Sequence, residues 1–215
     1  MADNDTGRLE AFSDGVFAIA VTLLALDLKV PSLPPGAAPS RLAVALAAEW
    51  PSYLGFVVSF GTILVMWINH HWLMRIIGRV DQTFLLLNGL LLLLITAVPF
   101  PTAVLSAYLD RPAAWVAALV WAAYFELVGL AFNVLWRYSY HGRRLIDPAA
   151  PERLVTSIHS RYRWGPFYYL VPIALAPIFV PASVAANIAL AVLYALPHPV
   201  APEPESAEPT TPPSA

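Results

Sequence analysis

The chain reads as an all-α integral membrane protein with six transmembrane helices per subunit, and three observations carry that reading. Of its 215 residues, 59% are hydrophobic and only 12% are charged, against roughly 25% charged in soluble domains. The mean hydropathy is +0.65, so too little polar surface remains to solvate a globule and lipid is the expected solvent. The apolar residues also fall into six runs separated by charged or proline-rich connections. A helix needs ~20 mostly apolar residues to cross ~30 Å of hydrocarbon.

The six runs are 9–28, 53–73, 84–105, 113–136, 164–180 and 182–196. The segment before the first, MADNDTGRLEAFSD, is more acidic than basic. A secretory signal needs a positive amino-terminal region and a small-residue cleavage site, so the first run is expected to stay in the mature protein. Residues 31–40 hold four prolines and a glycine and read as a loop. Residues 41–50 read as a short interfacial helix ended by Pro51, and 75–82 as a tight charged turn. Pro99 and Pro101 are expected to disrupt the third span near its outer end. Asp110, Arg111 and Pro112 separate the third and fourth spans, and 137–163 forms a longer polar connection.

The last two runs are short and are separated only by Pro181, so one hairpin re-entering the membrane is the alternative there. Pro172 and Pro177 are expected to kink the fifth span. The transmembrane domain is therefore 1–196. Residues 197–215 contain seven prolines, three glutamates and no Lys or Arg. Such a segment buries too little apolar area to offset its ordering entropy, and it reads as a disordered acidic tail.

Placing the amino terminus inside puts Arg8, Arg75, Arg79, Arg137, Arg143, Arg144, Arg153, Arg161 and Arg163 on the inner face, nine against the outer Lys29, Arg41 and Arg111. Positive charge concentrates on the cytoplasmic side. An even number of spans then leaves both termini in the cytoplasm of a multi-pass cell-membrane protein. Trp50, Trp72, Trp115, Trp136 and Trp164 near span ends suit interfacial belts or internal packing. Cysteine is absent, which excludes disulfides, thiolate metal sites and cysteine nucleophiles. A net charge of −2 argues against nucleic acid as a partner.

The first span is unusual. Its uninterrupted apolar core, Gly15 to Leu26, has twelve residues and covers only ~18 Å. Glu10, Ser13 and Asp14 precede it and Asp27 closes it. A charge at membrane depth costs ~2.5–3.5 kcal/mol on insertion scales, so this helix is expected to be surrounded by protein or to line water. At 100° per residue, Ile19, Leu23 and Leu26 lie within ~60° of one another, with Thr22 at the edge and Asp14 turned ~140° from Ile19. Periodicity alone favours ordinary packing for that stripe.

The second span ends WINHHWLMR. Trp67 and His71 share a face at i and i+4, whereas His70 and His71 project ~100° apart and make a poor metal pair. Arg8, Ser13, Asp14, Trp67, Asn69, His70 and His71 supply donors and acceptors for an interhelical network, which buried polar groups require. Asn88, Glu126, Asn133 and Asn187 are further polar residues within spans. For Glu126 a structural hydrogen bond is the favoured reading over a functional one.

The run RLEAFSDG, with Arg8, Phe12, Ser13 and Asp14 leading into an apolar first helix, resembles the signature of the transmembrane protein 175 family, the lysosomal potassium channels and their bacterial relatives. Trp67 with the His70–His71 pair late in the second helix is similar as well. FSD occurs once and no internal duplication is visible, which matches the bacterial, single-repeat type. The resemblance implies a homotetramer in the lipid bilayer, with one first helix from each subunit around a central pore. Carried over by position, Ile19 is the first constriction residue, Leu23 and Leu26 follow on later turns, and Thr22 supplies hydroxyls. Arg8, Ser13 and Asp14 would hold the first helix to the second through Trp67 and a histidine, either His70 or His71. This reverses the packing reading of the stripe.

A hydrophobic neck of that kind blocks ions when dewetted and passes them when wet. The expected function is potassium permeation with modest selectivity over sodium, with permeant potassium ions and no cofactor or metal. Asp27 near the outer mouth would raise local cation concentration. The rival is a proton- or ion-coupled secondary transporter using Asp14, Glu126 and the histidines as a relay. Such carriers often show paired repeats, and none is visible here. An enzyme is not expected, since HExxH, GxSxG and cysteine are all lacking.

Overall fold

A computed structural model describes residues 2–196, with side chains from Thr6 onward. The expected tail at 197–215 lies outside the described residues. Helix α1 spans Ala2–Leu23 and tightens into a 3-10 turn, Leu24–Asp27. It is followed by α2 (Pro39–Ala48), α3 (Trp50–Met74), α4 (Gln82–Thr96), α5 (Pro99–Tyr108), α6 (Ala114–Tyr140), α7 (Glu152–Leu175) and α8 (Val180–Ala195). Taking α4 and α5 as one broken span, six helical bodies follow one another, with α2 as an extra short helix. Four of the bodies are long and apolar enough to cross a membrane: Thr6–Asp27, Trp50–Met74, Gln82–Tyr108 and Ala114–Arg143. The 16 residues of α8 reach only about 24 Å, and α7 carries arginines along its first half.

The breaks follow from proline. Pro99 sits in the first turn of α5, where its missing N–H costs nothing, and the third span divides there as expected. In the last turn of α4, the carbonyl of Leu94 accepts from the Tyr124 hydroxyl at 2.7 Å. Pro51 also lies in a first turn, that of α3. It therefore opens the second span, and α2 already stops at Ala48.

The largest departure is at the fifth span. Helix α7 starts at Glu152, twelve residues before the expected Trp164, because Val155 and Ile158 give its polar first half a buried stripe. The polar connection shrinks to 141–151. Pro166 and Pro172 lie inside α7, while Pro177 falls in the turn after Leu175. Proline has no N–H to continue the helical ladder, so α7 ends before Pro177, and Pro177 lies outside the helix it was expected to kink. Pro166 cannot donate to the carbonyl of Tyr162 four residues back, and Asn133 Nδ2 on α6 donates to that oxygen in its place. The Pro172 carbonyl takes a bond from Ser183 Oγ on α8 at 2.7 Å. Arg161, early in α7, donates to the carbonyl of Leu196 just past α8 at 3.0 Å. Together these contacts make α7 and α8 an antiparallel hairpin.

The connections before α4 and after α6 meet at one end of the bundle. Ile77 pairs with Ile146 in an isolated antiparallel bridge, and the N–H of Gly78 donates to the carbonyl of Leu145 at 3.0 Å. A Cβ on Gly78 would stand 2.9 Å from Cα of Asp147, so only glycine permits this approach. Asp81 caps α4 by accepting from the N–H of Phe84 at 2.8 Å. Its other oxygen accepts from the Tyr138 hydroxyl at 2.7 Å. Helix α6 is the centre of the fold, packing against α4, α5, α7 and α8 with Trp121, Phe125 and Trp136 fully buried. Trp136 is thus a packing residue, whereas Trp50, Trp115 and Trp164 are exposed. Helix α1 lies against α3 and α4 and leaves its other side uncovered.

Candidate functional site

The two sides of α1 are set by its sequence. Ser13, Phe17, Ala20 and Leu24, at helical spacing, are buried against the bundle. The opposite side shows Phe12, Ile19, Leu23 and Leu26, exposed by 64%, 58%, 37% and 77%, with Thr22 beside them. Only 22% of this span's apolar window is buried, against 39% for α3 and α6. A bulky apolar stripe is therefore left without a partner within the subunit. Thr22 Oγ1 donates to the carbonyl of Ile19 at 2.8 Å, which engages its proton and leaves the oxygen lone pairs free.

The buried side of α1 is held by polar contacts to α3 and α4. Nε1 of Trp67 donates to Oδ1 of Asp14 at 2.8 Å. Nε2 of His70 lies 2.9 Å from Oδ1 of Asn88. An amide oxygen only accepts, so that ring nitrogen carries the proton. Asn88 Nδ2 donates to Ser13 Oγ at 3.0 Å, and Ser13 Oγ donates to the carbonyl of Leu9 at 2.9 Å. One directional chain thus runs from α3 through α4 into α1. His70 and Ser13 are fully buried, and Asn88 nearly so. Phe17 packs on the His70 ring at 5.4 Å between centroids. One turn nearer the amino terminus, Nδ1 of His71 donates to Oε1 of Glu10 at 2.8 Å, with the His71 ring stacked on Trp67.

Both histidines therefore reach α1 or its partners, each with its own companion. Glu10 and Asn88 belong to the cluster although the sequence reading left them out of it. Asn69 turns the other way, donating to the carbonyls of Val65 and of Tyr194 on α8 at 2.8 and 3.2 Å. Arg8 is exposed and makes no hydrogen bond or ion pair among the described residues. Glu126 likewise makes no hydrogen bond among them, and its Oε2 is buried without a partner, so the structural bond expected for it is missing. At the far end of α1, Asp27 borders a cleft of about 240 Å³ that also holds Lys29, Glu49, Asp110 and Arg111. No group of three or more His, Asp or Glu that could hold a metal occurs among the described residues.

Comparison with known proteins covers this half of the chain and extends well beyond it. Residues 8–99 match the family model described as the endosomal/lysosomal potassium channel TMEM175. A potassium channel of Chamaesiphon minutus is 48% identical over 193 residues, covering 90% of this chain and 95% of that protein. A potassium channel of Streptomyces collinus is 42% identical over 209 residues, covering 96% of this chain and all of that one. The crystal structure of a lysosomal potassium-selective channel TMEM175 homolog from Chamaesiphon minutus superposes with a TM-score of 0.80 at 46% identity. It covers 89% of this chain and 97% of that one.

Proposed function

This chain belongs to the TMEM175 family, and on that premise we propose that it is a potassium-permeable cation channel whose pore is formed by α1 from each subunit of a homotetramer. The observation that carries the reading is the stripe of Ile19, Leu23 and Leu26, apolar and uncovered on a helix otherwise pinned by polar bonds. A single copy of α1 cannot enclose a pore. Four copies around an axis would turn the stripe into stacked apolar rings. Such a neck excludes ions when its walls dewet and conducts when slightly wider.

Selectivity would come from the cost of stripping water at the Ile19 ring. Thr22, with its proton on the Ile19 carbonyl, would offer oxygen lone pairs one turn along. The bonds of Asp14, Ser13 and Asn88 fix the rotation of α1, so they govern which side chains face the axis. The distribution of arginines supports a multi-pass cell-membrane protein with both termini cytoplasmic. No cofactor enters the mechanism; permeant ions move through the neck alone.

Single-channel recording of the purified protein in planar bilayers under a potassium/sodium bi-ionic gradient tests the proposal. Unitary currents reversing on the potassium-selective side are expected. Saturable, ion-coupled uptake without unitary currents would replace the channel with a carrier.

A further inference from the structure

Several arginines at the amino-terminal end of the bundle have internal hydrogen-bond or ion-pair partners. Arg143 Nη1 donates to Glu152 at 2.6 Å, Arg144 pairs with Asp81 at 3.4 Å, and Arg161 donates to the Leu196 carbonyl. Arg137 and Arg163, like Arg8 and Arg153, lack such a partner among the described residues. Arg137 and Arg163 are both exposed. Yet they flank one cleft of about 240 Å³ between the end of α6 and the first half of α7, lined by Trp136, Arg137, His159, Tyr162 and Arg163. No acidic side chain lines it.

The floor of the cleft is aromatic. Trp136 stacks on Tyr162 at 5.8 Å and 23°, and His159 stacks on Tyr140 at 4.2 Å and 28°. Trp136 Nε1 donates to Nδ1 of His159 at 3.3 Å. That leaves the proton of the neutral ring on Nε2, a third donor beside two guanidinium groups. Next to the cleft, Trp164 is 51% exposed, with the Arg163 guanidinium 5.5 Å over its ring. An exposed tryptophan marks the headgroup level of a bilayer, and Phe167, 61% exposed one turn further into the apolar half of α7, offers contact for an acyl chain.

We infer that this cleft binds the phosphate headgroup of an anionic phospholipid, held by Arg137, Arg163 and His159, with its acyl chains along α7. Arginine suits the task because its planar fork meets phosphate oxygens in pairs. The site is independent of the pore, and it needs only that the chain sit in a bilayer.

Native mass spectrometry of the full-length protein from mixed micelles of phosphatidylglycerol and phosphatidylcholine tests this. The wild type is expected to retain phosphatidylglycerol in preference. Basic side chains near an anionic surface contribute about fivefold each in affinity, so R137Q and R163Q are each expected to lower retention about fivefold, and the double variant about 25-fold. R153Q, an exposed arginine of α7 outside the cleft, is expected to behave as wild type. Should the double variant not fold, the single variants carry the comparison. Equal retention by wild type and the R137Q and R163Q variants overturns the proposal, as does an equal loss in R153Q. Displacement of the lipid by excess inorganic phosphate would assign the cleft to a soluble phosphate instead.

Discussion

Nε2 of His70 on α3 and Oδ1 of Asn88 on α4 meet at 2.9 Å, and the same amide passes a second hydrogen bond to Ser13 of α1. Asn88 is the hinge of a three-helix contact whose side chains, Ser13, His70 and Asn88, are buried. Replacing it with leucine strands the His70 N–H and removes a donor from Ser13. A buried donor left unpaired costs about 1–3 kcal/mol. Asn88→Leu is therefore expected to lower the midpoint of thermal unfolding in detergent, while Leu94→Met, one turn or more away, changes it little. A melting curve of Asn88→Leu that overlays the wild type would remove the contact from the list of stabilising ones.

The bond from Trp67 to Asp14 bears on the orientation of α1 as well as on stability. Its acceptor is a carboxylate, and hydrogen bonds to charged groups are worth about 1.5–3 kcal/mol. Without it the rotation of the apolar stripe rests on the Asn88–Ser13 and His71–Glu10 bonds alone. Asp14→Ala and Trp67→Phe are each expected to impair assembly of the proposed tetramer, or its gating, more than the permeation of channels that do assemble. Size-exclusion chromatography with light scattering, paired with bilayer recording, separates these effects. Normal tetramers with normal gating in both variants would show that the bond does not set the rotation of α1.

How much of this was legible beforehand differs from residue to residue. Asp14 and Trp67 stood out because charge and indole are costly within spans, and the wheel turned Asp14 away from Ile19. Glu10 escaped because it precedes the apolar core, and its partner His71 lies 61 positions on. Asn88 escaped because a lone amide in a span carries no sign of its partners. Asn69 neighbours His70 in sequence, but the turn of the helix sends it to α8. In the sequence the first half of α7 reads as connection, because its arginines mask Val155 and Ile158, which the fold buries. The stripe on α1 was visible as a pattern, though periodicity alone could not tell packing from pore lining.

Pro166 and Asn133 form a compensating pair. The proline leaves the Tyr162 carbonyl without its helical donor, and Asn133 supplies one. Asn133→Leu should cost about 1 kcal/mol, the scale of interhelical hydrogen bonds in membranes. Adding Pro166→Ala restores the backbone N–H and should recover most of that loss. Guanidinium or heat unfolding of the two variants checks it; no recovery in the double variant would mean that the carbonyl is satisfied in another way.

Asp81 couples the start of α4 to the end of α6 outside the spans. The Tyr138 hydroxyl foremost, then the N–H of Phe84, holds its carboxyl below the usual carboxylate range, which lies near 4. A lowered folded pKa gives stability that is present above the unfolded value and lost as the pH falls through the folded one. Tyr138→Phe removes the largest cause and should move that acid loss to higher pH. Asp81→Asn should abolish this component. Thermal melts across the acid range distinguish the three proteins, and identical profiles for wild type and Tyr138→Phe would refute the coupling.

Ile19 is where the proposed mechanism is most exposed to test. Its side chain is 58% uncovered within the subunit, sits one turn before Leu23, and lends its carbonyl to Thr22. If four copies close the neck, each Ile19 contributes a branched apolar wall, and the barrier to a cation is the water lost in passing. Asparagine is similar in size and offers donors and acceptors in place of methyl groups. Ile19→Asn should therefore wet the ring, raise unitary conductance and move the potassium/sodium reversal potential toward zero. The proposed tetramer should survive, because the bonds of Asp14, Ser13 and Asn88 lie on the opposite side of α1. Substituting Phe12, on the same face but nearer the amino terminus, should alter conductance less. Currents and ion preference unchanged by Ile19→Asn in assembled channels would place the stripe against lipid and take Ile19 out of the pore.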